Sequence, residues 1–455
     1  FAAWLERVAV DRRAEYDEIV AYHLEQAYRY RAELGPPDAH AQELALRAGT
    51  LLADAGERAD ARADVAATVE LLSRAVELLP ADLPRRRRLL STLGIGFYDA
   101  GDGPRAEEIL TDAIAEADRA GDEGASARAA LVLVQVHSST RSTEMSETLS
   151  ETERLADILA RVGDEAGARL AQAWIAFILF AMGRAAEAAQ RGRALVELGD
   201  GDELWQREAQ TTVGVSLHFG PTPVEQAIAW IQASIDRAEG ARHADGGYLG
   251  IGRLRALQGR FAEARKHSAR GRASAEDVGN RHLLANAMGT LGEIEYREGN
   301  LAEAARLIRE SYDAMIATGD RAFASTIAVA LGEVLLDLDE DNEAWQFGTI
   351  ARETSSTDDV MSQAGGRAVQ ARVVSRRGDH DTAEALAREA VEIMARTDYL
   401  VHHGEALVHL AHVLWQAGKV DEALAAAREA TALYEQKGAT VLVDQTERLI
   451  DVWTG

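Results

Sequence analysis

One short mark recurs along this sequence at nearly constant spacing, and that regularity limits the possible folds more than any other feature. The mark is Gly, a polar residue, two further residues and then Glu-Ala. It reads GRAAEA at Gly183–Ala188, GRFAEA at Gly259–Ala264, GNLAEA at Gly299–Ala304 and GKVDEA at Gly418–Ala423. Weaker copies fall on the same frame at Thr68, Ala106, Thr148, Ala227, Ala344 and Ala383. From 68 to 423 the intervals lie between 37 and 42 residues, so the chain is built from about ten copies of one supersecondary unit.

Each interval divides again. A second mark, Gly121-Asp122, Gly163-Asp164, Gly199-Asp200, Gly279-Asn280 or Gly319-Asp320, follows the Ala position about half a repeat later. Gly suits the left-handed residue that ends a helix, and Asp or Asn behind it can cap the next one. Between the marks, apolar residues run at helical spacing: Leu283, Leu284, Ala287, Leu291 and Ile294 in one half, then Leu301, Ala304, Ala305, Ile308 and Tyr312 in the other. Two helices per repeat follow, and nothing reads as a strand. Gly94, Gly252, Gly292 and Gly332 share one register within the first helix. Gly weakens a helix interior by about 1 kcal/mol relative to Ala, so four of them at one position require close packing against the partner helix.

The expected fold is therefore an all-α, superhelical solenoid of about ten helix-turn-helix repeats with a period near 40 residues. In such an array each helix pair is expected to bury its apolar face only against its neighbours. This also explains how 455 residues can form one array, although single cores stop growing near 250–300 residues. Three segments are expected: 1–37 as a helical junction to an upstream domain, 38–439 as the repeat array, and 440–455 as a capping helix for its open end. The chain begins at Phe1 with no basic, apolar leader, and reads as a piece of a longer protein.

Composition removes several functions. A net charge of −26 repels nucleic acid and anionic lipid over most of the surface. The dense basic run Arg85–Arg88 reads as a solvated helix face. There is no cysteine, which excludes disulfides, thiolate catalysis and cysteine-ligated zinc, and is compatible with the cytoplasm. No apolar run reaches the roughly 20 residues of a membrane span; the longest, Ala171–Met182, has charged or glycine-marked ends.

The marks resemble the tetratricopeptide repeat. Leu291-Gly292, Gly299-Asn300 and Glu303-Ala304 match its motif nearly in full. The family's period is shorter, and the longer one here resembles the repeats of bacterial signal-transduction ATPases. A second resemblance lies in Phe1-Ala-Ala-Trp-Leu-Glu, Tyr16-Asp-Glu-Ile and Tyr22–Tyr30. These look like the junction between ATPase core and repeats in actinobacterial class III adenylate cyclases and related regulators. The resemblance implies a signalling parent, with a non-catalytic interaction or sensor role for this chain. It implies no ATPase here: no Gly-x-x-x-x-Gly-Lys-Ser/Thr occurs, and Gly418-Lys419 lies inside a repeat turn.

Few residues suggest chemistry. His402, Glu405, His409 and His412 form one stripe on a helix and, with His403, are the best metal candidates. A stripe on a single helix usually gives one ion only two ligands, so no metal and no cofactor is assigned. No nucleophile with its base, and no isolated carboxylate pair, can be identified. The seven tryptophans, Trp4, Trp174, Trp205, Trp230, Trp345, Trp415 and Trp453, read as packing anchors. The Ser/Thr-rich stretch Ser138–Thr152 reads as a longer surface loop.

In the tetratricopeptide pattern, the position six before the turn Gly faces the concave groove. Here it gives Ile95, His137, Phe177, Ser216, Arg253, Glu293, Glu333, Arg372 and His412. The charged second half, Arg253, Glu293, Glu333, Arg372 and His412, is the expected partner-binding groove. The expected partner is a protein, a peptide or neighbouring domains of the same polypeptide, with no nucleic acid and no membrane. The alternatives are a metabolite enclosed by the superhelix, as in maltose-responsive bacterial activators of similar build, and a free-standing scaffold.

Overall fold

The computed structural model describes residues 13–141, 143–198, 204–237 and 245–455. Trp4, the Phe1–Glu6 part of the junction motif and the Gly199-Asp200 mark lie outside the described residues. Among the described residues there are twenty-two α-helices, from Arg13–Leu34 to Thr440–Thr454, and no strand.

The pair Arg281–Glu298 and Leu301–Thr318 shows how the marks work. Gly299 takes a φ of 96°, and the Gly299 and Asn300 amides bond back to carbonyls of the last turn, Glu295 and Tyr296. Gly319 closes the second helix at φ 82°, and Asp320 then caps the next by accepting from the Phe323 amide at 2.9 Å. The glycine register also has its packing reason. A Cβ at Gly292 would lie 2.5 Å from Ile308 Cγ1 and 3.3 Å from the carbonyl of Ala304, the marker alanine of the partner helix.

The chain divides into two compact units. The smaller holds Phe1–Val136 with Asp157–Gly167 and Val278–Asn280. Its core gathers Val20, Leu24, Leu52, Leu72, Leu89 and Leu93. The arginine run at the start of the Pro84–Asp99 helix does not form a solvated face. Arg85 donates to Asp54 and Glu57, Arg86 to Glu116, and the buried Arg87 to Asp122, so only Arg88 lies exposed in that run. Packed helix faces give those guanidinium groups carboxylates to meet, which a sequence pattern cannot reveal.

The larger unit holds His137–Ala156, Ala168–Asp277 and Arg281–Gly455. Here the nearest-neighbour expectation fails, because helices far apart in sequence share one core. Ala189, Val213, Leu217 and Ile231 pack with Leu407, Ala411, Tyr434 and Leu442. The final helix, Thr440–Thr454, stacks Trp453 on Trp415 at 4.9 Å and places Leu442 in this same core. It therefore closes onto earlier repeats as well as onto the last one. The Ser138–Thr152 stretch is not a long loop either. Helices end at Thr140 and restart at Met145, and Thr148, Ser150 and Thr152 hydroxyls donate to carbonyls four residues back inside the second helix.

Candidate functional site

Two groups of residues define the larger unit: a seam where its repeats meet themselves, and a polar face enclosed by that closure. At the seam, Asp398 accepts from the Ala185 and Ala186 amides at 2.8 and 2.7 Å, across 213 and 212 residues. The helix Ala185–Val196 begins after Arg184, which makes no capping bond of its own. Its first amides, which have no partner within the helix, thus take their acceptor from a distant repeat. Asp358 does the same for Met145 and Ser146, at 2.9 and 3.0 Å. Both caps advance by one repeat of 40 residues, so this is a ladder in register.

The third rung has the opposite polarity. Lys437, fully buried, donates to the Leu217, Gly220 and Thr222 carbonyls at 2.8, 2.7 and 2.8 Å. These carbonyls surround the end of the Leu204–Phe219 helix, the negative pole of its dipole. Burial draws the Lys437 pKa down to about 7, against three acceptors that each require one ammonium N–H. Between the rungs, Tyr399 donates to the Phe180 carbonyl, and Phe180, Phe219 and Tyr399 form edge and tilted contacts at 5.3–5.5 Å.

The polar face is carried by the first helices of five consecutive repeats. Arg253 lies on Asp245–Leu257, Glu293 on Arg281–Glu298, Glu333 on Arg321–Asp337, Arg372 on Val360–Arg376 and His412 on Leu400–Gln416. Arg253 donates to Glu293 at 2.9 Å and to Asn286 at 2.8 Å. Arg297, one turn beyond Glu293, pairs with Glu405 across 108 residues. His409 faces Glu333 at 3.7 Å. Side chains from opposite stretches of the turn therefore meet in its interior, and the surface expected to be an open groove is spanned there by an ion pair.

The histidine stripe is divided among different tasks. His402 stacks on Phe219 at 4.9 Å with an interplanar angle of 11°, while Glu405 is held by Arg297. His412 meets the edge of Trp453, and His403 feels the charge of Glu429 instead. Among the described residues, no three His, Asp or Glu side chains are placed to hold one metal ion. Burial lowers the pKa of His402 and, further, of His218; it takes His412 to about 2, with the Arg372 charge adding to the effect. These rings are neutral donors and acceptors near pH 7. Arg297, Tyr296 and Asp337 escaped the sequence reading, although each lies three or four residues, one helical turn, beyond a groove-register position.

Comparison with known proteins supports this architecture. A family model described as tetratricopeptide repeat matches residues 246–317 and 369–436. No curated protein matches the chain by sequence. Among solved structures, the APC/C hetero-tetramer Cut9–Hcn1 is similar at 14% identity, covering 98% of this chain and 89% of that one, with a TM-score of 0.55. A Rap protein complexed with competence and sporulation factor is similar at 11% identity, covering 77% of this chain and 98% of that one, with a TM-score of 0.52. At those identities the likeness is one of fold. Among the described residues, no helix is long and apolar enough to cross a membrane.

Proposed function

Because the chain carries tetratricopeptide repeats, we propose that it is a non-catalytic interaction and sensor module whose larger unit receives its partner on the enclosed polar face. The observation that supports this is the line Arg253, Glu293, Glu333, Arg372 and His412 on successive first helices, continued one turn further along those helices by Arg297 and Asp337. Charged side chains at one register are costly to enclose unless they serve recognition or one another. Both structural neighbours were solved with a partner, Rap with competence and sporulation factor and Cut9 with Hcn1. The partner here is an extended peptide or a protein terminus. A helix, at about 10–12 Å across with its side chains, is too wide where Arg297 already reaches Glu405. The same narrowness favours a second reading, an enclosed small molecule. The setting in a cytoplasmic signalling ATPase or cyclase rests on the sequence resemblance.

Random peptides selected on phage against the intact chain, followed by NMR with labelled histidine, test this. Bound peptides are expected to shift the signals of His402, His409 and His412 and leave those of His23 and His40, in the smaller unit, unmoved. Shifts confined to other histidines place the recognition surface elsewhere.

A further inference from the structure

The third rung of the seam uses a residue that this chain almost avoids. Of its 49 lysine and arginine side chains only Lys266, Lys419 and Lys437 are lysines, and the first two lie exposed. Lys437 is fully buried, with Nζ on the Leu217, Gly220 and Thr222 carbonyls at 2.8, 2.7 and 2.8 Å. A compact ammonium can turn one N–H toward each of three converging acceptors, which a planar guanidinium cannot. Lysine also differs from arginine in that burial can take its proton away.

Two demands oppose each other at that nitrogen. The three carbonyls surround a helix end, the negative pole of its dipole, and favour the ammonium. Burial favours the neutral amine, which keeps two N–H bonds and loses the third, and it brings the pKa from 10.5 to about 7. Among the described residues, Asp398, just before the Leu400–Gln416 helix, is the acid whose charge favours the ammonium, and its oxygens already serve Ala185 and Ala186. His218, on the helix that Lys437 caps, is held neutral by burial. Glu225, on the Val224–Arg237 helix, is engaged by Arg255 and Gln258. Glu435 on Lys437's own helix and Asp444 on the final one are exposed. The buried phenols Tyr399 and Tyr434 ionise only well above 10.

We infer that Lys437 is a proton-operated latch on the turn: above neutral pH, closing this end of the seam releases a proton from the Lys437 ammonium to water, and opening takes one up. The inference rests on the seam and holds whatever occupies the enclosed face. Once the seam opens, Nζ is solvated and stays charged up to its ordinary 10.5, so between about pH 7 and 10.5 the open form binds more protons. Closure therefore strengthens as pH rises through that window and loosens as pH falls toward 7. The closing constant is expected to rise about fivefold from pH 7 to 8 and about ninefold from pH 8 to 9. An arginine in this place would be charged in both forms and give no such response.

Two measurements on the full chain test the latch. With isotopically labelled lysine, NMR reads three side chains. That of Lys437 is expected to titrate close to pH 7, whereas Lys419, held by Glu384, titrates above its ordinary 10.5. Hydrogen exchange then reads opening at donors whose bonds cross the seam, the amides of Ala185, Ala186 and Asp398. Corrected for the intrinsic base-catalysed rate, their opening constants should fall about fivefold from pH 7 to 8 in the parent and stay level in Lys437→Met and Lys437→Arg. A Lys437 side chain still charged at about pH 9, level opening constants in the parent, or an equal fall in Lys437→Met overturns the proposal. Should neither variant fold, the titration and the exchange of the parent decide alone.

Discussion

Replacing Glu405 with Ala is expected to lower the unfolding free energy by about 3–5 kcal/mol, since it strands the largely buried Arg297 without a counter-charge. The side chains of the pair are only 20% and 16% exposed, so solvent screens it little. The double replacement Arg297→Met with Glu405→Leu removes both charges together and should recover most of that loss in urea unfolding, because the pair itself contributes little net stability. A double mutant as unstable as the single one would contradict this. The pair also sets an acid response. Burial alone would raise the Glu405 pKa, but the Arg297 charge and hydrogen bond bring it below the ordinary 4.5. A carboxylate with a depressed folded pKa adds stability above its unfolded value, and that stability is lost as pH falls through the folded one. Wild-type stability should thus erode as pH drops below 4.5, and Glu405→Ala should show a shallower decline.

The joint change Asp358→Ala with Asp398→Ala should cost about 2–4 kcal/mol, from two helix caps at roughly 1–2 kcal/mol each. Its signature is local. Amide exchange should accelerate at Met145, Ser146, Ala185 and Ala186, the donors those carboxylates serve, before the unit unfolds globally. Asp358 carries its own pH mark: burial opposes its charge, yet the Met145 and Ser146 amides hold its pKa below the ordinary 3.8. Its share of stability is therefore present at neutral pH and fades only below that value. Unchanged exchange at those four amides in the double mutant would mean that the seam contributes nothing to order there.

The helix pairs and their turns were legible in the sequence, because their causes are local. A left-handed Gly, a capping Asp and a small residue at a helix crossing each act within one repeat, and Gly299, Asp320 and Gly292 do so here. Closure was not legible, since it depends on how many small repeat-to-repeat rotations accumulate before the chain meets itself. One trace existed: at Asp358 and Asp398 the turn position carries Asp where Gly319 and Gly438 stand in register. A turn that forgoes its glycine has another use for the side chain. The groove register placed Arg253, Glu293, Glu333, Arg372 and His412 on successive helices, but it could not tell Arg253, engaged by Glu293, from Arg372, whose buried Nε has no partner among the described residues. Both are Arg at the same register, and only their neighbours differ.

The central claim is that the larger unit closes on itself about five repeats along, and the absence of cysteine makes that measurable. Spin labels on cysteines introduced at the exposed Ala186 and Arg396 would report one distance. Asp398, two residues from one label, bonds to the amide of Ala186 itself, so closure predicts a narrow distribution below about 20 Å, given at most about 3.6 Å of reach per residue. Five repeats stacked in an open array, at about 10 Å between packed helices, would put the labels roughly 50 Å apart. That longer distance would contradict the account.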